Sequence, residues 1–186
     1  MNSGLADRFE VRLAGEGGQG MILAGIILAE AAGVYDRKNA VQTQTYGPEA
    51  RGGASKSEVV ISSGEIDHPE VICADVLVAL SQEAFDKYAA DIKPGGLLIL
   101  DGDKVEPQPS LSAVRASITR LALEASGKTI TANAVALGVL VGMTGVVSRQ
   151  AIEQAVLARA PKGTEEMNRS ALLKGFEVAE QIKAGV

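Results

Sequence analysis

Short apolar runs alternate with longer helical segments along the chain, and this alternation predicts where its strands and helices lie. Runs of four to seven residues bounded by turn residues have the length of buried strands. The predicted strands cover residues 9–14, 40–45, 55–61, 75–80 and 97–100. The predicted helices cover residues 21–32, 82–90, 119–126, 133–143, 149–160 and a last segment from 165. Strands that alternate with helices indicate an α/β fold with a mostly parallel sheet.

This order of elements predicts a Rossmann-like architecture, with helices on both faces of the sheet and a helical C-terminal region from about residue 119. No fixed-period repeat or low-complexity tract divides the sequence, so residues 1–186 are expected to form a single domain. Ser81 and Ser148 stand where side-chain caps of the following helices are expected.

Two features of the C-terminal helices concern packing. Ala134, Gly138 and Gly142 recur at four-residue spacing and predict a flat helix face that lets another backbone approach closely. That face could serve helix packing inside the fold or a subunit contact. The last helix opens at Thr164 and carries a predicted apolar stripe, formed by Met167, Ala171, Val178 and Ile182.

Composition and charge narrow the function classes. Hydrophobic residues make up 46% of the chain, which excludes intrinsic disorder. Lys and Arg number 18 against 23 Asp and Glu, and the net charge of −5 argues against nucleic acid and anionic membranes as partners. The longest nearly apolar stretch, residues 134–147, is too short to span a bilayer. No secretory signal precedes the first strand, so a cytoplasmic location is expected.

The reactive side chains do not form a catalytic or metal-binding set. One cysteine and one histidine exclude an intrachain disulfide, an iron–sulfur cluster held by this chain and a Cys/His zinc site. Cys73 lies in an apolar run and is predicted to be a buried small hydrophobe, whereas His68 precedes a proline and is predicted to lie in a polar turn. A solvated turn is the favoured interpretation of three nearby carboxylates, those of Asp101, Asp103 and Glu106.

A glycine-rich loop follows the first predicted strand. Its candidate residues are Gly15, Gly17, Gly18, Gln19 and Gly20. Such a loop can offer free backbone N–H groups to an anion at a helix start, or it can merely form the strand-to-helix turn. Both interpretations stay open. NAD is disfavoured as a ligand because the second predicted strand does not end in an acidic residue that could hold the ribose, and the nearest acid, Asp36, precedes that strand. A P-loop is excluded because no Gly-Lys-Ser/Thr follows the glycine-rich loop.

A second glycine-containing loop follows the second predicted strand. Pro48 restricts its backbone, and opposite charges flank the turn. It is either a recognition surface or a solvated turn with a local ion pair. The candidate recognition residues are Tyr46, Gly47, Glu49, Arg51, Gly52 and Gly53.

Three motifs in series resemble the gamma subunits of 2-oxoacid:ferredoxin oxidoreductases, also known as the pyruvate ferredoxin oxidoreductase gamma domain family. The motifs are Leu-Ala-Gly-Glu-Gly-Gly-Gln-Gly at 13–20, Gln-Thr-Tyr-Gly-Pro-Glu-Ala-Arg-Gly-Gly at 44–53, and Ala-Asp-Val-Leu-Val-Ala-Leu-Ser-Gln at 74–82. The resemblance spans about residues 9–160 and includes Asn-Ala-Val-Ala-Leu-Gly at 133–138. The Tyr46-Gly47-Pro48-Glu49 form favours the 2-oxoglutarate type. The alternatives are an indolepyruvate-type subunit and a stand-alone nucleotide-binding domain.

The resemblance implies a role within a larger enzyme of anaerobic metabolism. In that family the complex decarboxylates a 2-oxoacid to acyl-CoA and CO2 and reduces ferredoxin. Thiamine diphosphate, magnesium, iron–sulfur clusters and coenzyme A are then expected on alpha, beta and delta partner subunits, and the whole complex can form a dimer. This chain is expected to be structural, without its own catalytic residues and inactive alone. Its two glycine loops are expected to face the catalytic subunits or coenzyme A.

Overall fold

A computed structural model describes residues 8–45, 54–107 and 112–185 and places a six-stranded sheet at the centre of the molecule. The strands are β1 (Arg8–Glu16), β2 (Asn39–Thr45), β3 (Ala54–Ser62), β4 (Ala74–Ala79), β5 (Ile92–Asp101) and β6 (Val114–Ala116). The helices are α1 (Met21–Glu30), α2 (Gln82–Tyr88), α3 (Ile118–Ser126), α4 (Ala132–Thr144), α5 (Arg149–Arg159) and α6 (Glu165–Ala184). All the predicted strands and helices are present, and the short β6 was not predicted.

The sheet has the order β2-β3-β1-β4-β5-β6. β1, β4, β5 and β6 pair in parallel, whereas β3 is antiparallel to both of its neighbours, β1 and β2. Five of the six strands therefore run in one direction, which confirms the mostly parallel sheet. β1 lies in the middle, between its antiparallel and its parallel neighbour.

Helices cover both faces of the sheet, as predicted. Alternate residues of β1 and β4, such as Leu13 and Val78, pack against α1, α4 and α5 in the larger core. The residues between them, such as Leu77 and Ala79, pack on the opposite face against α2 through Phe85. This alternation follows from the two-residue period of a strand, which sends successive side chains to opposite faces.

The small residues of α4 form a packing face inside the fold. A Cβ atom built on Gly138 would lie 2.3 Å from the backbone oxygen of Leu172 in α6, and one built on Gly175 of α6 would lie 2.3 Å from the backbone oxygen of Val135. The two backbones thus touch where neither residue has a side chain. Of the two roles open for the predicted flat face, the structure shows helix packing.

The buried face of α6 differs from the predicted stripe. Of the four predicted residues only Ala171 is buried, while Met167, Val178 and Ile182 are half-buried. Because the α4 and α6 backbones touch at Gly175, the face of α6 that contains Gly175 is turned toward the core in place of the predicted stripe. The residues buried in α6 are Ala171, Leu172, Gly175, Phe176 and Ala179.

Two predicted helix caps are confirmed. The Ser81 hydroxyl accepts a hydrogen bond from the Ala84 backbone N–H, and the Ser148 hydroxyl accepts one from the Ala151 N–H. The first helix, however, continues past its predicted end at residue 32, as a π-helical turn over Ala31–Tyr35. Within the described ranges, no helix combines the length and the apolar character needed to cross a bilayer.

Candidate functional site

The glycine loop lies at the middle of the sheet, at the C-terminal end of β1. It leads from Glu16 directly into α1, which begins at Met21. Gly18 and Gly20 have φ angles of 91° and 73°, a region that residues with a Cβ rarely occupy. Crevices at such strand ends, where neighbouring connections leave in different directions, are the usual ligand sites of open α/β sheets. The predicted strand-to-helix turn is therefore present, and it lies where open α/β sheets usually bind ligands.

Gln19 holds this loop against the neighbouring strand. Its Oε1 accepts a hydrogen bond of 2.7 Å from the Glu16 N–H, and its Nε2 donates one of 3.1 Å to the Leu80 carbonyl beyond β4. A Cβ on Gly15 would lie 2.3 Å from the same Oε1, so the glutamine amide fills the space above Gly15. This occupied space disfavours a dinucleotide pyrophosphate over the first glycine, where a Rossmann site would hold it.

Replacing Gln19 with alanine should free the loop from β4. We expect the free energy of unfolding to fall by about 1 kcal/mol, because two hydrogen bonds are lost from a partly exposed site. Hydrogen exchange at the Gly17, Gly18 and Gly20 amides should accelerate more than exchange in β4. The matched control is Gln154→Ala at an exposed position of α5. Unchanged exchange in the loop of Gln19→Ala would show that Gln19 does not hold it.

A cleft of about 680 Å³ opens beside the loop. The loop and the first turn of α1 form one wall, and residues before and within α4 and around the start of α6 form the other. The lining is mainly apolar, with Ile26, Ile130 and Met167 among its larger side chains. Asn133, Thr131 and Lys128 add polar atoms. The arrangement suits a ligand with an apolar body and a polar end.

The predicted recognition residues Tyr46, Gly47, Glu49, Arg51, Gly52 and Gly53 lie outside the described residues. The strand that follows them, β3, is described. Ala54, the first residue of β3, pairs with Glu16 at the end of β1, and the Ser55 hydroxyl donates to the Gly15 carbonyl at 3.1 Å. The Ala54 N–H also donates to the Glu83 carboxylate at 3.1 Å. β3 therefore begins next to the glycine loop, at the C-terminal end of β1.

Two interpretations of reactive residues need correction. Cys73 is exposed, not buried, because it precedes β4 in the turn rather than lying inside the strand. Asp101 is fully buried, not solvated: at the end of β5 it accepts hydrogen bonds from the backbone N–H and the hydroxyl of Thr119, in the first turn of α3. Among the described residues, no group of three or more His, Cys, Asp or Glu side chains could hold a metal ion.

Asp36, the acid that precedes β2, has a structural role. The Asp36 carboxylate accepts from the Ser148 backbone N–H at 2.6 Å and from its hydroxyl at 2.7 Å. It thereby ties the π-helical turn to the start of α5. Asp36 is committed to this contact between two helices, which agrees with the interpretation that it does not serve an NAD ribose.

Sequence reasoning did not predict the second wall of the cleft. Lys128, Ile130 and Asn133 are more than 100 positions from the glycine loop in sequence, and only the fold brings them together. One signal was available: Asn133 is a polar residue at the start of an otherwise apolar helix. A polar side chain in a buried helix needs a hydrogen-bonding reason to be there.

Comparisons with known proteins agree on one family. Residues 10–178 match the family described as pyruvate ferredoxin/flavodoxin oxidoreductase. The chain is 54% identical over 179 residues to the 2-oxoglutarate synthase subunit KorC of Methanocaldococcus jannaschii, a match that covers 94% of this chain and 96% of that protein. A keto/oxoacid ferredoxin oxidoreductase gamma subunit from Geobacter sulfurreducens matches with a TM-score of 0.85 at 52% identity, over 94% of this chain and 98% of that chain.

A longer protein contains the same fold. The 2-oxoglutarate:ferredoxin oxidoreductase from Magnetococcus marinus, solved with 2-oxoglutarate, coenzyme A and succinyl-CoA bound, matches with a TM-score of 0.83 at 25% identity. That match covers 95% of this chain but only 32% of the other. The fold, the motifs and these matches together show that the chain belongs to the pyruvate ferredoxin/flavodoxin oxidoreductase family.

Proposed function

We propose that this chain is the gamma subunit of a 2-oxoglutarate:ferredoxin oxidoreductase, which forms succinyl-CoA and CO2 and reduces ferredoxin. The observation that carries the proposal is the similarity to a 2-oxoglutarate synthase subunit and to a separate gamma subunit over nearly the full length of all three chains. At more than 50% identity over this length, a change of role within the complex is not expected. The 2-oxoglutarate type is accordingly favoured over the indolepyruvate type.

In this proposal the reacting cofactors belong to the partner subunits. Iron–sulfur clusters are held by sets of cysteines, and this sequence contains one. We assign thiamine diphosphate, magnesium, the clusters and coenzyme A to alpha, beta and delta subunits, with ferredoxin as the acceptor of the assembled enzyme. The gamma chain then acts as one folded domain within that assembly, without its own catalytic residues. A dimer of the whole complex and a cytoplasmic location stay predictions from the sequence.

The two glycine-rich segments are the proposed contact region. Gly15–Gly20 lies at the C-terminal end of β1, and the segment 46–53 precedes in sequence Ala54, the first residue of β3, which pairs with Glu16. This pairing supports a shared surface for both segments at one end of the sheet. We propose that this surface faces the catalytic subunits or the coenzyme A that they bind.

Co-purification tests the subunit assignment. The tagged chain, isolated gently and without oxygen from its host, should bring with it thiamine-binding and ferredoxin-like chains. The preparation should reduce an electron-accepting dye in a reaction that needs both 2-oxoglutarate and coenzyme A. Activity with a different 2-oxoacid would contradict the substrate, and recovery of the chain alone under conditions that preserve known complexes would contradict the assignment itself.

Arg51→Ala tests the contact surface within the purified complex. A guanidinium can bind a phosphate or carboxylate through two parallel hydrogen bonds, so its loss should weaken assembly or raise the KM for coenzyme A about tenfold or more. Arg51→Lys should recover only part of the effect, because lysine cannot form the two-pronged contact. Arg120→Ala, at an exposed position of α3, is the control. Wild-type assembly and turnover in Arg51→Ala would reject this role.

A further inference from the structure

The two edges of the sheet differ in how they are protected. One edge is β6, which is only three residues long and carries Arg115 at its centre. The other edge is β2, whose seven residues pair with β3 in unbroken register and include neither a charged residue nor a proline. Folded proteins usually protect an exposed edge by shortening it, by bending it at a bulge, or by placing a charge or a proline on it. Among the described strands, β2 is thus a long edge without such protection.

The free side of β2 can form backbone hydrogen bonds with another strand. β3 is the one strand of the described chain that pairs with β2. In an antiparallel pair, every second residue directs its N–H and C=O groups away from the partner strand. Asn39, Gln44 and Thr45 are exposed, and the residues between Asn39 and Gln44 are half-buried. An accessible row of backbone groups on such a strand favours pairing with a strand of another chain.

The residues of β2 fit an antiparallel copy of the same strand. A two-fold axis at Gln42, the middle residue, pairs all seven residues and places Val41 of one copy opposite Thr43 of the other. Both are β-branched residues, which pack well against neighbours on a pleated surface. Because the strand is uncharged, no like charges meet between the two copies of β2.

The surroundings of β2 are acidic at the end where the strand begins. The Asn39 side chain donates a hydrogen bond of 2.8 Å to a backbone carbonyl of the loop that follows β3. Glu65 and Asp67 are exposed in that loop. Arg37, also exposed, precedes the strand at the same end, so the two acids exceed the single free base there. We call this the acidic end of β2.

A lysine lies at the other end of β2, on the same face of the sheet as the acidic loop. Lys56 is opposite Thr45 and contacts the Glu58 carboxylate at 3.0 Å. Ile66 of the acidic loop packs against the cluster that contains Val60, and Val60 shares a face of β3 with Lys56. Antiparallel pairing brings the acidic end of one copy beside the lysine end of the other. The charges around the two strands are therefore complementary in this arrangement.

We propose that two copies of this chain associate through their β2 edges, antiparallel about Gln42, to form one continuous sheet. The backbone groups on the free side of each β2 supply the hydrogen bonds, and the complementary ends fix the direction of pairing. The interface is small because one strand from each copy forms most of it, so a dissociation constant in the micromolar range is expected. The inference rests on the geometry of this chain and does not depend on the proposed subunit assignment.

Sedimentation velocity of the full chain in a reducing buffer tests the association. Between about 1 µM and 1 mM protein, the wild type should change from monomer to dimer. Thr43→Lys should raise the dissociation constant at least about tenfold, because each lysine faces Val41 of the second copy and the two ammonium groups stand diagonally across the axis. The matched control Thr43→Val adds no charge and should dimerise as the wild type does. A wild type that stays monomeric over the whole range, or a folded Thr43→Lys chain that dimerises unchanged, would overturn the proposal.

Disulfide trapping tests the register. Cys73→Ser first removes the exposed native cysteine. In that background Gln42→Cys should form an interchain disulfide on oxidation, because facing residues of an antiparallel pair have Cα atoms about 5 Å apart, within reach of a disulfide. Thr45→Cys is the control, since the two copies of residue 45 would be about 20 Å apart along the strands and should not cross-link. Cross-linking that is equal in the two variants, or absent from a folded Gln42→Cys chain, would contradict the pairing. Thr43→Lys covers the case in which Gln42→Cys does not fold.

The outcome is separable from the proposed function. Co-purification reports on partner subunits, whereas sedimentation and trapping report on the isolated full chain. A complex that assembles from a chain that is monomeric alone rejects only the β2 pairing. A β2-paired dimer that recovers no partner subunits rejects only the subunit assignment.

Discussion

Gly138→Leu is expected to abolish folding, and Gly138→Ala is expected to lower the free energy of unfolding by about 3 kcal/mol. The smallest added side chain would place its Cβ 2.3 Å from the Leu172 backbone oxygen and 2.9 Å from the Gly175 Cα. Both neighbours are backbone atoms of α6, so no side-chain rotation can relieve the clash. The helices must separate, and the buried residues of α4 would lose their contacts with α6.

Urea unfolding followed by circular dichroism measures this effect. Gly33→Ala is the matched control, because Gly33 is also helical but its added Cβ would meet only ordinary contacts, 3.8 Å from Lys38 O and 4.0 Å from the Ala40 Cβ. The control should be neutral or slightly stabilising, as expected for alanine in place of a helical glycine. A Gly138→Leu chain that folds with wild-type stability and still assembles with its partners would contradict the packing derived from the structure.

Glu58→Ala is the second change with a large expected effect, a loss of about 3 kcal/mol of unfolding free energy. Glu58 and Arg12 form an ion pair of 2.8 Å between side chains that are only 8% and 4% exposed. Arg12 also donates to the Val71 carbonyl at 3.2 Å and lies over the ring of Tyr88 at 5.4 Å. Without Glu58, the one carboxylate left beside the buried guanidinium among the described residues is that of the exposed Asp91, at 3.4 Å.

A double variant separates the cost of an unpaired charge from the value of the pair. Replacing Arg12 with methionine and Glu58 with leucine removes both charges and keeps apolar bulk, so much of the lost stability should return. The exposed pair of Lys174 and Glu177 is the control, and Lys174→Ala should change stability by no more than about 0.5 kcal/mol. If Glu58→Ala were as mild as Lys174→Ala, the buried pair would not be important for the fold.

The sequence by itself determined the elements, the sheet type and the family. Apolar runs at strand length and caps such as Ser81 and Ser148 depend on neighbours within a few positions, so local chemistry predicts them. The glycine loop was also predicted correctly as a strand-to-helix turn, because Gly18 and Gly20 adopt backbone conformations that favour glycine. The family followed from motifs whose order and spacing can be read directly along the chain.

Only the tertiary structure decided how distant residues are used. Asp101 belongs to a polar turn in sequence, yet the start of α3 folds over it and buries its carboxylate. The buried face of α6 depends on where Gly138 meets Gly175, a contact that no periodicity within α6 contains. Asn133 reaches the cleft because α4 begins beside the glycine loop. Burial and hydrogen-bond partners come from contacts across the fold, and a linear pattern reports only on the residues next to each other in the chain.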